Sequence, residues 1–331
     1  MFKESDPSLF FKSQKTHDRR LGEWAKTLLA ADLDKIASQL NPQDRNCVIA
    51  GYADDEGVKN NSGRVGAHLA PRKIREYFYK MTPPFYFDLD CENPNRNSYK
   101  IFDVGDLDPG LGDLTTRHLR AQELALRAFS NNMYWIALGG GHDYAYPDIS
   151  AFIEGCSKKS SERALIINFD AHLDVRPTDH GINSGTAFYR ILKEYPHIDL
   201  VQVGIQSQCN SRTQFQWTEG RGAKVLTYDD LRRSGEDLTS FCRNRLGDLL
   251  AHQKCFISVD MDGFSNAYAP GCSQSFATGL QPDEFFKFVS FLCQDLDVRG
   301  LGLYECAPNL DFDNMTSKLA ALIMHKFIFL G

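Results

Sequence analysis

Asp170, His172 and Asp174 stand two residues apart at the end of the stretch Ala164-Leu165-Ile166-Ile167-Asn168-Phe169-Asp170-Ala171-His172-Leu173-Asp174. The first half of that stretch is a short apolar run, the pattern of a buried strand. On an extended backbone, residues two apart point to the same side, so two carboxylates and an imidazole converge where the strand ends. Such groups are costly to leave unpaired away from water. A divalent cation removes the cost, because carboxylate oxygen and imidazole nitrogen are ordinary ligands for Mn, Zn or Fe. The plainer alternative is a strand end whose acidic residues face water, and this stretch alone does not decide between the two.

Other strand ends carry the same chemistry. His142 follows the run ending at Leu138, after Gly139-Gly140-Gly141. Asp260 and Asp262, again two apart, close Ser258-Val259-Asp260-Met261-Asp262. Glu305 follows Tyr304 in Glu305-Cys306-Ala307-Pro308. Each has a modest explanation alone, as a tight glycine turn or a cap on the next segment. In a parallel sheet, however, all these exits lie along one edge, where α/β proteins place their sites. Two His and four Asp suit a pair of metal ions about 3.5–4 Å apart with bridging carboxylates, a separation fitted to hydrolysis. With no Cys among the candidate ligands, Mn fits better than a structural Zn.

The elements that must position these residues are legible as apolar runs. Strands are expected at Cys47–Tyr52, Tyr99–Val104, Met133–Leu138, Ala164–Phe169, Leu200–Gly204, Lys224–Thr227, Cys255–Val259 and Leu301–Tyr304. Helical stretches are expected from Pro71 through Tyr79, over 114–131 and 146–154, and near 186–194, 228–251, 282–295 and 315–329. Strands alternating with helices imply a parallel sheet covered on both faces. Residues 83–97 read as an irregular Pro/Asn-rich connection. Leu21, Trp24, Leu28, Leu29, Leu33, Ile36 and Leu40 recur at helical spacing, so residues 1–45 are expected to form a helical extension packed on a single domain over 46–331. No linker or internal repeat interrupts that domain.

Composition excludes several function classes. The chain has 331 residues, 42% apolar and 24% charged, with a net charge of −6, the profile of a globular protein. The negative balance and the lack of a dense Lys/Arg run argue against a nucleic-acid partner. No apolar run has the length of a membrane span, and the charged N-terminus does not read as a secretory signal. Nine scattered cysteines without a Cys-x-x-Cys pair indicate reduced thiols in a cytoplasmic protein. A small-molecule substrate is the expected partner, with a homo-oligomer left open.

Taken together, the motifs are recognisable. Gly-Gly-Gly-His at 139–142, Asp-Ala-His-Leu-Asp at 170–174, Ser-Val-Asp-Met-Asp at 258–262 and Glu-Cys-Ala-Pro at 305–308 resemble the successive motifs of the ureohydrolase family, which includes arginase, agmatinase and formimidoylglutamase. The resemblance implies a three-layer α/β/α fold with an eight-stranded parallel sheet and a site for two Mn2+ ions per chain. It assigns His142 and Asp174 to one metal, His172 and Asp262 to the other, and Asp170 and Asp260 as bridges.

The outer loops resemble formimidoylglutamases most. Gly57-Val58 through Asn61 and Gly63-Arg64 to Ala67 is similar to their Gly-Val-x-x-Asn-x-Gly-Arg-x-Gly-Ala segment. Asn183-Ser184-Gly185-Thr186-Ala187-Phe188 and Ala269-Pro270-Gly271-Cys272-Ser273 are similar to two further segments. Ala187 departs from the usual Pro, and Asp143 from the usual Glu. Arginases carry a proton-shuttling His near the position of Phe188; here His180 is the remaining candidate for that role. The implied reaction is hydrolysis of N-formimidoyl-L-glutamate to L-glutamate and formamide. Asp174 would pass a proton to the departing nitrogen and Glu305 would hold the cationic formimidoyl group. Arg176 would grip a substrate carboxylate, with Arg64 or Arg212 next in line, and Asn183 and Ser184 would add polar contacts. The alternatives are a guanidine ureohydrolase releasing urea, a deacetylase-like single-zinc hydrolase and a metal-binding relative without catalysis.

Overall fold

Two-sided burial makes the strands of a parallel sheet nearly continuous apolar runs, and those runs build the centre of this protein. The computed structural model describes residues 1–15, 18–85, 99–156, 163–250 and 254–329. Its strands are β1 (Phe2–Lys3), β2 (Lys26–Thr27), β3 (Arg45–Tyr52), β4 (Tyr99–Leu107), β5 (Tyr134–Leu138), β6 (Leu165–Phe169), β7 (Asp199–Ile205), β8 (Lys224–Thr227), β9 (Lys254–Asp260) and β10 (Asp297–Tyr304). They form a 10-stranded sheet in the order β1-β4-β3-β5-β10-β9-β6-β7-β8, with β2 also against β4. The eight expected parallel strands are β3 to β10. The surplus is β1, antiparallel to β4 through Phe2 and Leu107, and β2, parallel to it through Lys26 and Phe102.

The helices are α1 (Leu33–Ala37), α2 (Glu56–Asn60), α3 (Ala70–Phe78), α4 (Leu114–Ser130), α5 (Ala145–Cys156), α6 (Ala187–Glu194), α7 (Arg212–Glu219), α8 (Tyr228–Ser234), α9 (Leu238–Leu246), α10 (Pro282–Asp295) and α11 (Met315–Phe329). Alternate strand residues serve opposite layers. Ile49, Ile136, Ile167, Ile257 and Leu303 join a core with α3, α8, α9, α10 and α11. Val48, Trp135, Ile166, Phe256 and Tyr304 join one with α1, α4, α5 and α6. This is the three-layer α/β/α sandwich.

Three departures from the sequence reading have local causes. The extension over 1–45 is not the sustained helical segment expected: its described residues hold short 3-10 turns, β1, β2 and the five-residue α1. Of its regularly spaced leucines, Leu21, Leu28 and Leu33 are buried, whereas Leu29 is exposed. The helix expected over 228–251 is broken into α8 and α9 because Gly235 takes φ +69°, a left-handed stop for α8. Helix α7 was not anticipated; Ser211 caps it by accepting from Gln214 N. Of the irregular connection expected over 83–97, residues 86–97 lie outside the described residues.

A buried ion network fixes the β4 side. Arg75 on α3 donates Nε to Asp103 Oδ2 at 2.8 Å and Nη1 to Asp106 Oδ1 at 2.6 Å. Ser5 Oγ donates to Asp103 at 3.0 Å and the Tyr79 hydroxyl donates to the same carboxylate. Arg75 and Asp103 side chains are both fully buried. Removing one partner of such a pair strands the other charge, at a cost of about 3–5 kcal/mol. Arg75→Met is expected to lose about that much unfolding free energy in urea titration, and the double variant Arg75→Met/Asp103→Leu to lose less than Arg75→Met alone. A double variant as destabilised as the sum of the singles would mean the two groups do not act as a pair.

Candidate active site

The four exits carrying the chemistry belong to β5, β10, β9 and β6, which are consecutive neighbours in the sheet. The β5 exit turns through Gly139, whose φ of +76° and close approach to Pro71 leave no room for a side chain. Gly139 N donates to Leu303 O at 2.7 Å and Glu305 N to Gly140 O at 3.0 Å, tying the β5 and β10 exits together. His142 then enters a 3-10 turn ahead of α5.

Around His142, Nδ1 lies 3.0 Å from Asp170 Oδ2, 2.9 Å from Asp174 Oδ2 and 3.2 Å from Asp260 Oδ2. It is buried yet makes no well-aligned hydrogen bond to any of them. His142 Nε2 lies 2.9 Å from Ser258 Oγ; with Nε2 turned to that hydroxyl, Nδ1 is the ring nitrogen that would coordinate a cation among the carboxylates. Beside this group, His172 Nδ1 is 3.1 Å from Asp262 Oδ2 and 3.6 Å from Asp170 Oδ1. The structure thus brings all six candidate ligands into two groups able to hold a cation, His142/Asp170/Asp174/Asp260 and Asp170/His172/Asp262. Asp170 is common to both, whereas Asp260 falls with the His142 group.

The electrostatics follow from this crowding. Burial pushes the Asp260 carboxyl well above the usual range, with the Asp262 and Asp170 charges adding to it. Burial also opposes charge on His142, but Asp170, Asp174 and Asp260 overcome it and hold that imidazole well above its ordinary value. Asp170 is buried too, yet the His142 and His172 rings keep its carboxyl below the usual range. Burial raises Glu305 to about 8. An unaligned imidazole nitrogen inside a ring of buried carboxylates, all N and O donors, is the environment a divalent cation completes.

Backbone and packing aim these groups. Asp174 and Glu305 take φ +50° and +59°, a left-handed conformation that costs non-glycine residues about 1–3 kcal/mol and clusters at functional sites. Leu173 N donates to Asn210 Oδ1 and Gln202 Nε2 donates to Leu173 O, bracing the turn at Asp174. The Tyr304 ring stacks on His142 with centroids 5.1 Å apart. Its hydroxyl donates to Asp148 at 2.6 Å, and Tyr52 and Trp135 donate to the same buried carboxylate at 2.5 and 2.8 Å.

The site opens into a cavity of about 260 Å³ lined by His172, Asp174, Asp260, Asp262 and Glu305, by the buried Ser184 and by the exposed Arg176. Asn183 does not line it: its side chain accepts from Gly185 N at 3.0 Å and so caps the loop. Arg64 is spent on the backbone oxygens of Ser273 and Cys272. Arg212 and His180 are also absent from the lining. The cavity instead includes Cys209, Asn210, Gln214 and Gln274, which sequence reasoning missed. The loop between β7 and α7 supplies Cys209 and Asn210, and the first turn of α7 supplies Gln214; the loop's Ser-Gln-Cys-Asn run carries no charge or spacing that marks a site.

Comparison with known proteins agrees with this architecture. A sequence model described as the Arginase family matches residues 45–330, and the chain belongs to that family. Among its relatives, formimidoylglutamase of Staphylococcus carnosus is 31% identical over 281 residues, covering 85% of each chain. That of Staphylococcus haemolyticus is 29% identical over 306 residues, 92% of this chain and 91% of the relative. The crystal structure of formimidoylglutamase from Bacillus subtilis superposes with a TM-score of 0.76 at 25% identity, covering 96% of this chain and 93% of that one. Trypanosoma cruzi formiminoglutamase with Mn2+ gives 0.74 at 22% identity, with coverages of 90% and 97%, a likeness of fold.

With Mn2+ as the probe, Asp260→Ala and His172→Ala are each expected to bind fewer ions per chain than the parent protein in equilibrium dialysis. Unchanged stoichiometry in both would remove these residues from the ligand set.

Proposed function

We propose that the protein is a dinuclear manganese hydrolase that cleaves N-formimidoyl-L-glutamate to L-glutamate and formamide. The observation that carries this reading is the cavity itself: it joins two cation-holding groups to a single exposed arginine. A substrate with an amidine at one end and carboxylates at the other matches that polarity. Relatives named formimidoylglutamase, aligned over most of the chain, support the same substrate, and the neighbour containing Mn2+ supports the metal.

His142, Asp174 and Asp260 would hold one ion and His172 and Asp262 the other, with Asp170 common to both groups. Bound there, the ions supply Lewis acidity and bring the pKa of water toward neutrality. The remaining work falls to the chain. Arg176 binds a substrate carboxylate through parallel N–H bonds and sets the amidine carbon over the ligand groups. Glu305, one of whose oxygens accepts from His142 N at 3.1 Å, pairs with the formimidoyl cation as charge develops. Asp174 takes the proton released when water adds to that carbon. It returns the proton to the glutamate nitrogen as the C–N bond breaks. Ser184 adds a polar contact in the loop beside Arg176.

Residues 46–331 would carry this reaction, with residues 1–45 as an extension braced on β4. Among the described residues, eight cysteines form no disulfide, which supports a reducing compartment such as the cytoplasm, and no helix is long and apolar enough to cross a membrane.

The test is a product assay with Mn-loaded protein on formimidoylglutamate, arginine, agmatine and guanidino acids. Formamide and glutamate are expected from the first and no urea from the others; urea release would transfer the protein to the guanidine hydrolases. Arg176→Ala should lower kcat/KM on formimidoylglutamate about ten- to a hundredfold, the worth of a charge-assisted bond, with both metals retained. Wild-type turnover in that variant would move the carboxylate grip elsewhere.

A further inference from the structure

The exposed Arg176 at the cavity has no acidic partner among the described residues. Two buried guanidinium groups of this chain are matched by acids, Arg75 by Asp103 and Asp106, and Arg117 by Asp54 and Glu56. Arg176 instead donates Nη1 to the side-chain oxygen of Asn61, its one hydrogen-bonded side-chain partner among the described residues. Asn61 is itself fixed, donating Nδ2 to Ser184 Oγ at 3.0 Å. The neighbouring Asn60 donates Nδ2 to Ile182 O at 3.2 Å. Arg176 N donates to Gly185 O at 2.8 Å. The arginine stem lies so close to Gly185 that a Cβ there would stand 2.9 Å from Arg176 Cδ and 3.3 Å from Asn61 Nδ2. The α2 loop, the loop after β6 and the 182–185 loop therefore interlock around one cation.

The neutrality of the partner matters because the cavity already contains Asp174, Asp260, Asp262 and Glu305. A carboxylate at position 61 would close a two-pronged pair with the guanidinium and cancel its charge. An amide oxygen takes one N–H, fixes the plane, and leaves the charge and the other N–H groups for an anion. We infer that Asn61 is a positioning residue that holds Arg176 in place without neutralising it, and so makes the cavity select amidines that also carry a carboxylate. This inference rests on the formimidoylglutamate reading and assigns the source of its carboxylate preference.

The experiment compares Asn61→Asp and Asn61→Ala with the parent, all Mn-loaded, on N-formimidoyl-L-glutamate and on N-butylformamidine, which has the amidine but no carboxylate. On formimidoylglutamate, Asn61→Asp should lose roughly ten- to a hundredfold in kcat/KM, the loss expected when a charged hydrogen bond is withdrawn. The loss should appear in KM, with kcat nearly kept. Asn61→Ala should lose less, because its arginine is looser but still charged. Both variants should match the parent on N-butylformamidine and in thermal midpoint. The order of the two variants separates charge from packing, since Asp is nearly isosteric with Asn and Ala is not. An Asn61→Asp enzyme no worse than Asn61→Ala, or equal proportional losses on both amidines, overturns the inference. A parent enzyme inert toward formimidoylglutamate overturns the functional reading itself, an outcome distinct from an active parent with an unaffected Asn61→Asp variant.

Discussion

Four buried or half-buried aspartates and two imidazoles share one small volume at the sheet edge, and everything around them is arranged to tolerate that. Like charges a few ångströms apart in a medium less polar than water repel strongly. Two backbone donors and one side-chain amide answer: His172 N to Asp170 Oδ1 at 2.6 Å, Asp262 N to Asp260 Oδ1 at 2.8 Å and Asn168 Nδ2 to Asp170 Oδ2 at 3.2 Å. These bonds orient the Asp170 and Asp260 carboxylates but do not balance their charge. A cation does both, which makes the fold near the site and the metal parts of one energetic problem.

The arrangement extends outward in layers. Nearest the ligands, Ser258 and Tyr304 constrain the His142 ring from its Nε2 edge and its face. Behind Tyr304, Asp148 accepts from three aromatic donors, and burial lifts its carboxyl to about 7. Tyr52, one of those donors, stacks on Tyr144 with centroids 4.2 Å apart, and Tyr144 donates to Asp54 at 2.6 Å. Precision at the ligands thus rests on a polar network inside an otherwise apolar layer, where each member is satisfied by the next.

Much of this was legible in the amino acids, for definable reasons. The eight parallel strands were readable because a strand buried on both faces is written as an apolar run. The ligands were readable because Asp and His rarely follow such runs at two-residue spacing without a purpose. What escaped had no comparable signal. The leucines of residues 21–40 repeat at helical intervals, yet the segment lies as turns along β4, because contact with the sheet edge outweighs intrinsic preference. Asn183 and Ser184 are adjacent and equally polar; only the backbone trajectory decides that one caps its loop while the other reaches the cavity. Cys209 and Asn210 of the β7–α7 loop and Gln214 in the first turn of α7 enter through tertiary placement alone.

The position of β10 has a consequence for how the protein comes into being. This is the last strand to be synthesised, yet it lies in the middle of the sheet, between β5 and β9. Until it leaves the ribosome, the emerging chain can pair its strands only as two half-sheets, β4-β3-β5 and β9-β6-β7-β8, with no ladder of backbone hydrogen bonds joining them. Each half exposes an apolar inner edge strand of the kind that invites wrong pairing. His142 stands on one half, and the aspartates that surround it stand on the other. Closure of the sheet by β10 is therefore also the event that creates the site, so a nascent chain stalled before residue 297 would hold six ligands and no metal centre.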